Sequence, residues 1–189
     1  MIGSWALITG VGLILVLVAG AVACVVDVGS SDQSVVTDES KTAVVIGRDG
    51  DEEIAPEFEG EQSWINSEPF TLESQRGKIV LVDFWTYTCI NCIRTLPYLK
   101  DWHEKYSDQG LVIVGVHTPE FEFEKKKENV IDAMIKHGLK YPIIQDNDFD
   151  TWDAYNNQYW PAKYLIDSDG YIRYTHFGEG AYLETEEKI

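Results

Sequence analysis

Apolar positions divide the chain into two regions of different texture. Trp5 to Val26 is 22 residues without a charge, built from Leu, Val, Ile, Ala and Gly. At about 1.5 Å per residue a helix of that length crosses ~30 Å of hydrocarbon. It predicts a single N-terminal transmembrane helix over residues 5–26, because a soluble helix this long normally keeps a polar face. From Gln62 onward the apolar runs are short and regularly punctuated. Ile79 to Trp85 and Leu111 to Val116 are apolar on both faces, as central covered strands are. Ile93, Leu96, Leu99, Trp102 and Tyr106 keep helical spacing and predict a helix over 90–106, ending near Gly110. A second helix is predicted over 121–137, with Gly138 as its stop.

Shorter signals fill the rest. Phe70–Leu72 and Tyr141–Gln145 read as short strands and Phe149–Tyr155 as a short helix. Ala162–Asp167 and Tyr171–Phe177 flank Ser168-Asp169-Gly170, a hairpin turn signal, and a helical tail follows. The order is a parallel βαβ unit, then an antiparallel pair. It predicts an α/β module with a mixed central sheet flanked by helices.

Between the two regions, Asp27 to Gln62 carries eleven acidic and two basic residues. Residues 27–61 therefore read as an acidic, disordered linker, with one brief apolar patch at Thr42–Ile46. The whole chain carries a net charge of −17. That balance excludes nucleic acid, whose phosphates demand a basic face, and excludes anionic lipid recognition through a polybasic patch. The apolar N-terminus has a rival reading as a cleaved signal peptide. Ala19-Gly20-Ala21 and Ala21-Val22-Ala23 are A-x-A-like, and Cys24 follows a faint lipoprotein-like box. The expected arrangement is an uncleaved anchor with the acidic bulk outside the cytoplasm.

Three cysteines are present, and Cys24 lies far from the others. Cys89 and Cys92 form a C-x-x-C directly after one apolar strand and directly before a helix. That placement sets the first sulfur at a helix N-terminus, where free N–H groups and the helix dipole favour a thiolate. A bridge across two residues stabilises little, so the pair reads as chemistry. Half of a zinc site is the bland alternative. Zinc wants four ligands, no second cysteine pair exists, and the four histidines, His117 and His176 among them, are scattered. Lys125-Lys126-Lys127 reads as a solvated helix face.

The strand–C-x-x-C–helix order with a following hairpin resembles the thioredoxin fold. Asp83, six residues before Cys89, matches the buried acid of that fold, Pro97 its helix proline, and Pro161 its cis-proline. The finer resemblance is to the membrane-associated TlpA-like and DipZ-like branch. It rests on Trp64-Ile65-Asn66, Arg76-Gly77-Lys78, the run Asp83 to Thr95, Val116 to Glu120, and Phe177 to Gly180. The resemblance implies Cys89 as attacking thiol, Cys92 as resolving thiol, and Asp83 as proton carrier, with Glu120 as a second candidate acid. It also implies that Trp160 and Pro161 face the substrate chain. The chain stops soon after Tyr182, so the last covering helix should be short.

These observations converge on an extracytoplasmic thiol–disulfide oxidoreductase. Its partners would be disulfide- or thiol-bearing proteins and a membrane redox partner, and it needs no bound cofactor and no metal. Two alternatives stay open. Thr86-Tyr87-Thr88-Cys89 contains the T-x-x-C of peroxiredoxin-like peroxidases, although Val82 stands where those enzymes carry a proline. A copper-delivery or cytochrome-assembly module of the same fold would bind Cu(I) through the thiolates.

Overall fold

A computed structural model describes residues 53–61 and 63–189. The predicted anchor at 5–26, Cys24 and the patch at 42–46 lie outside these residues. Among the described residues, no helix is long and apolar enough to cross a membrane.

The elements run β1 (Ser63–Ile65), β2 (Ile79–Trp85), α1 (Ile90–Tyr106), β3 (Leu111–His117), α2 (Lys127–His137), β4 (Ile143–Gln145), α3 (Asp150–Ala154), β5 (Ala162–Ile166), β6 (Ile172–Phe177) and α4 (Tyr182–Lys188). The six strands form one sheet in the order β1-β4-β3-β2-β5-β6. β2 pairs parallel with β3, and β3 with β4. β1, β5 and β6 pair antiparallel with their neighbours. The mixed sheet anticipated from the hydrophobic pattern is therefore present, and α4 is short, at 7 residues.

Alternation along β2 sends its side chains into two cores. Leu81 and Trp85 join Leu96, Leu99 and Trp102 of α1 and Val130 and Met134 of α2. Val80, Val82 and Phe84 face Trp152, Tyr155 and Leu72 on the other side. Each fully buried leucine here, Leu81 or Leu99 for example, contributes roughly 2 kcal/mol of burial. Helix α2 ends at Gly138, whose φ of 67° is left-handed and whose N–H returns to the Ile135 and Met134 carbonyls.

Four expectations need correction. Phe70–Leu72 is not a strand: the Leu72 and Glu73 N–H groups bond the Glu57 carboxylate at 2.7 and 2.8 Å rather than a ladder partner. The helix expected over 121–137 is broken. A 3-10 turn, Glu122–Lys125, is followed by extended Lys126 (φ −74°, ψ 118°) before α2 begins. Phe121 and Phe123 stay exposed while Glu124 turns inward, so that turn has no apolar stripe to bury. The folded module also begins before Gln62. Ala55 is buried and donates to the Gly170 carbonyl, and Ile54 bridges Tyr171. Finally, β1 was not anticipated, because three residues are too few to show an alternation.

Candidate active site

Cys89 is the N-cap of α1, with extended φ and ψ of −69° and 117°, and its side chain caps nothing. The first turn of α1 contains no acidic residue. The helix therefore begins with open N–H groups and an uncompensated positive end, and the half-buried Cys89 sulfur stands there. Its pKa is lowered from 9.0 to about 6. The largest cause is the hydrogen bond from the Cys92 thiol, helped by the backbone N–H groups of Cys92 and Asn91, while partial burial and the Glu120 charge oppose it. Cys92, one turn in and buried, is pushed the other way, above all by burial. Both are free thiols, so the structure shows the reduced pair. These surroundings favour the thiolate at half-buried Cys89 and the protonated thiol at buried Cys92.

The other expected residues gather around this pair with different success. Trp160 and Pro161 are joined by a cis peptide bond, and the Cys89 Sγ lies 3.9 Å from the Trp160 carbonyl oxygen. The Trp160 indole N–H donates to the Thr118 carbonyl at 3.0 Å, which fixes the ring beside Trp152. Asp83 is buried beneath the pair on the Leu81 and Trp85 face of β2. Its pKa is raised from 3.8 to about 6, because burial outweighs the ion pair with Lys163. Glu120 is exposed, and its charge reaches Cys89 only to oppose ionisation. Trp85 is wholly buried and forms core.

Two residues escaped the sequence reading. Lys163 on β5 is fully buried, with its Nζ 3.4 Å from Asp83 Oδ1. A lone lysine inside the apolar run Ala162–Ile166 was the available signal. Glu124 is also fully buried, and its carboxylate accepts from the Thr88 hydroxyl and from the Glu120 and Phe121 N–H groups at 2.6 and 2.9 Å. These bonds tie the turn before Cys89 to the segment after β3. The Thr86 hydroxyl is buried and faces His117 Nε2 at 3.5 Å. His117 itself stacks on Tyr87, and burial holds its pKa down, at about 4. Among the described residues, no group of three or more His, Cys, Asp or Glu is placed to hold a metal ion.

Fold and site together define the class of thioredoxin-like thiol–disulfide oxidoreductases. The AhpC/TSA family matches residues 52–175, and the chain belongs to that family. DipZ of Mycobacterium tuberculosis is 49% identical over 135 residues, covering 70% of this chain and 19% of that protein. The chain thus spans less than a fifth of the DipZ length. Thiol-disulfide oxidoreductase YkuV of Bacillus subtilis is 31% identical over 134 residues, covering 71% of this chain and 90% of that protein. The solution structure of a thioredoxin-like protein in the oxidized form superposes with a TM-score of 0.65 at 32% identity, covering 72% of this chain and 91% of that one. The resemblance to the TlpA-like and DipZ-like branch is met by these relatives.

Proposed function

We propose that the protein exchanges disulfides with partner proteins through Cys89 and Cys92, outside the cytoplasm and tethered by residues 5–26. The carrying observation is the split between the two sulfurs: Cys89 lowered to about 6 at the mouth of α1, and Cys92 buried and raised behind it. At neutral pH the Cys89 thiolate attacks one sulfur of a partner disulfide, forming a mixed disulfide and releasing the other sulfur as a thiolate. The Cys92 thiol then gives up its proton, and its sulfur displaces the partner from Cys89. Two electrons pass to the partner, and Cys89–Cys92 is left as a disulfide. The same steps in reverse oxidise a partner dithiol. The cis Trp160–Pro161 corner, half-buried at Trp160 and buried at Pro161, lies beside the sulfur and supports docking of an extended substrate chain there.

The peroxidase alternative calls for the T-x-x-C hydroxyl at the cysteine sulfur. Thr86 is instead buried against His117, so exchange is the better supported chemistry. The test is to replace Cys92 by Ser and express the full chain in its host. Exchange predicts proteins covalently trapped on Cys89 and released by a reductant. Absence of any adduct, with peroxide still consumed, overturns the reading in favour of the peroxidase.

A further inference from the structure

The parallel strands β2, β3 and β4 end together, and the residues just past those ends form a hydrogen-bonded chain that leads to Cys89. His117 of β3 is the register partner of Gln145 of β4, so Thr118 and Asp146 leave the sheet side by side. The Thr118 N–H donates to the Trp85 carbonyl at 3.1 Å, and the Asp146 N–H to the His117 carbonyl at 2.9 Å. The ladder thus runs one residue beyond the strands, and both side chains are buried. The Asp146 carboxylate accepts from three donors: the Thr118 hydroxyl at 3.0 Å, and the Thr151 and Trp152 N–H groups at the start of α3, each at 3.0 Å. A buried carboxylate filled in this way is costly to disturb, because all of its donors lose their acceptor at once.

Both groups that Asp146 holds bear on Trp160. The Thr118 carbonyl accepts the Trp160 indole N–H at 3.0 Å. Trp152, placed by the first turn of α3, lies against the Trp160 ring with 4.1 Å between centroids and 34° between planes. One edge of the half-buried Trp160 ring is fixed by a hydrogen bond and one face by packing, and both fixings trace back to the same carboxylate. The backbone on either side of the ring is held separately. The Asn157 side chain donates to the Tyr159 carbonyl at 3.1 Å, and the Gly178 N–H donates to the Pro161 carbonyl at 2.7 Å. The Trp160 carbonyl, between them, lies 3.9 Å from Cys89 Sγ.

We propose that Asp146 is a positioning residue for substrate docking: through the Thr118 hydroxyl and the start of α3 it locks the Trp160 ring, and so keeps the Trp160 carbonyl aimed beside the Cys89 sulfur, where an extended segment of a partner protein pairs with it. This rests on the exchange reading and deepens it. The substrate class that needs such a lock is a polypeptide, whose backbone N–H groups beside the disulfide can bond the carbonyl. A small disulfide without flanking peptide groups has no such bond to make. Loss of the lock therefore weakens reaction with peptides more than reaction with small disulfides. A general loosening of the fold slows both alike.

The test uses the reduced full chain in detergent and two probes that share a leaving group. One is a short peptide whose central cysteine is disulfide-bonded to a coloured aromatic thiol. The other is mercaptoethanol bonded to the same thiol. Release of the coloured thiolate gives a rate constant for each, and the peptide-to-mercaptoethanol ratio is the readout. Thr118→Val keeps the side-chain shape without the hydroxyl and should lower the ratio about tenfold, the size expected of one lost hydrogen bond. Thr118→Ser, which keeps the hydroxyl, should restore it. Asp146→Asn should lower it at least as far as Thr118→Val. In a Trp160→Phe background, which keeps a ring without the indole N–H, Thr118→Val should lower the ratio no further. A ratio within about twofold of wild type in Thr118→Val overturns the proposal, as does an equal fall in the Trp160→Phe background. A wild type that takes both probes equally well overturns it too. Should the variants fail to fold, the wild-type Trp160 indole proton decides. It should exchange with solvent as slowly as the Thr151 and Trp152 amides, and exchange at the rate of an exposed indole overturns the proposal. If the wild type releases thiolate from neither probe, the exchange reading itself falls and takes this one with it.

Discussion

The proposed chemistry rests on a difference between two identical side chains three positions apart. Cys89 owes its lowered pKa first to the hydrogen bond from Cys92 and then to the N–H groups of the first helical turn. Replacing Cys92 by Ala removes the first cause and leaves the second. The pH midpoint for alkylation of Cys89 should therefore rise in Cys92→Ala while staying below that of a free cysteine. An unchanged midpoint would show that the neighbouring thiol contributes nothing. At this scale the sequence was informative where a residue type and its position agreed. The C-x-x-C at a strand–helix junction and Asp83 in an apolar strand were both visible. Glu124 was not, because it lies inside the polar run Glu122–Lys127, and only the fold shows that one of those charges points inward.

At the scale of elements, the long strands and α1 were legible because burial on both faces leaves an uninterrupted apolar run. The break before α2 was not. Spacing alone cannot separate a continuous helix from a 3-10 turn and an extended residue in front of a shorter one. That break has a consequence for the site. It delivers the Glu124 carboxylate to the Thr88 hydroxyl and to two backbone N–H groups, so the segment after β3 braces the turn that carries Cys89. Glu124→Ala strands these donors. It should cost ~2–3 kcal/mol in denaturant unfolding and lower the rate of Cys89 attack as well. Unfolding midpoints that match the wild type would contradict the brace.

For the whole molecule, the exchange chemistry proposed for the described module and the anchor expected at residues 5–26 make separate predictions. The anchor was read from 22 uncharged residues, Trp5–Val26. It leads to a direct expectation. The full chain should sediment with membrane vesicles, and a chain lacking residues 1–26 should remain in the supernatant. Equal sedimentation of both would refute the anchor. The linker was placed too generously, since residues 53–61 pack onto the sheet edge and the Glu57 side chain closes the turn at Leu72. A stretch rich in acids looks unstructured to composition, but Ala55 and Ile54 within it find partners that composition cannot show.

The most direct measurement is a pH titration of the Cys89 thiolate in the reduced full chain, followed by its ultraviolet absorbance. The folded-state pKa lies below the ordinary value of 9.0, so ionisation should be largely complete at neutral pH, with a midpoint near 6. A midpoint between 8 and 9, close to that of an unperturbed cysteine, would leave no ready nucleophile at α1 and would contradict the account.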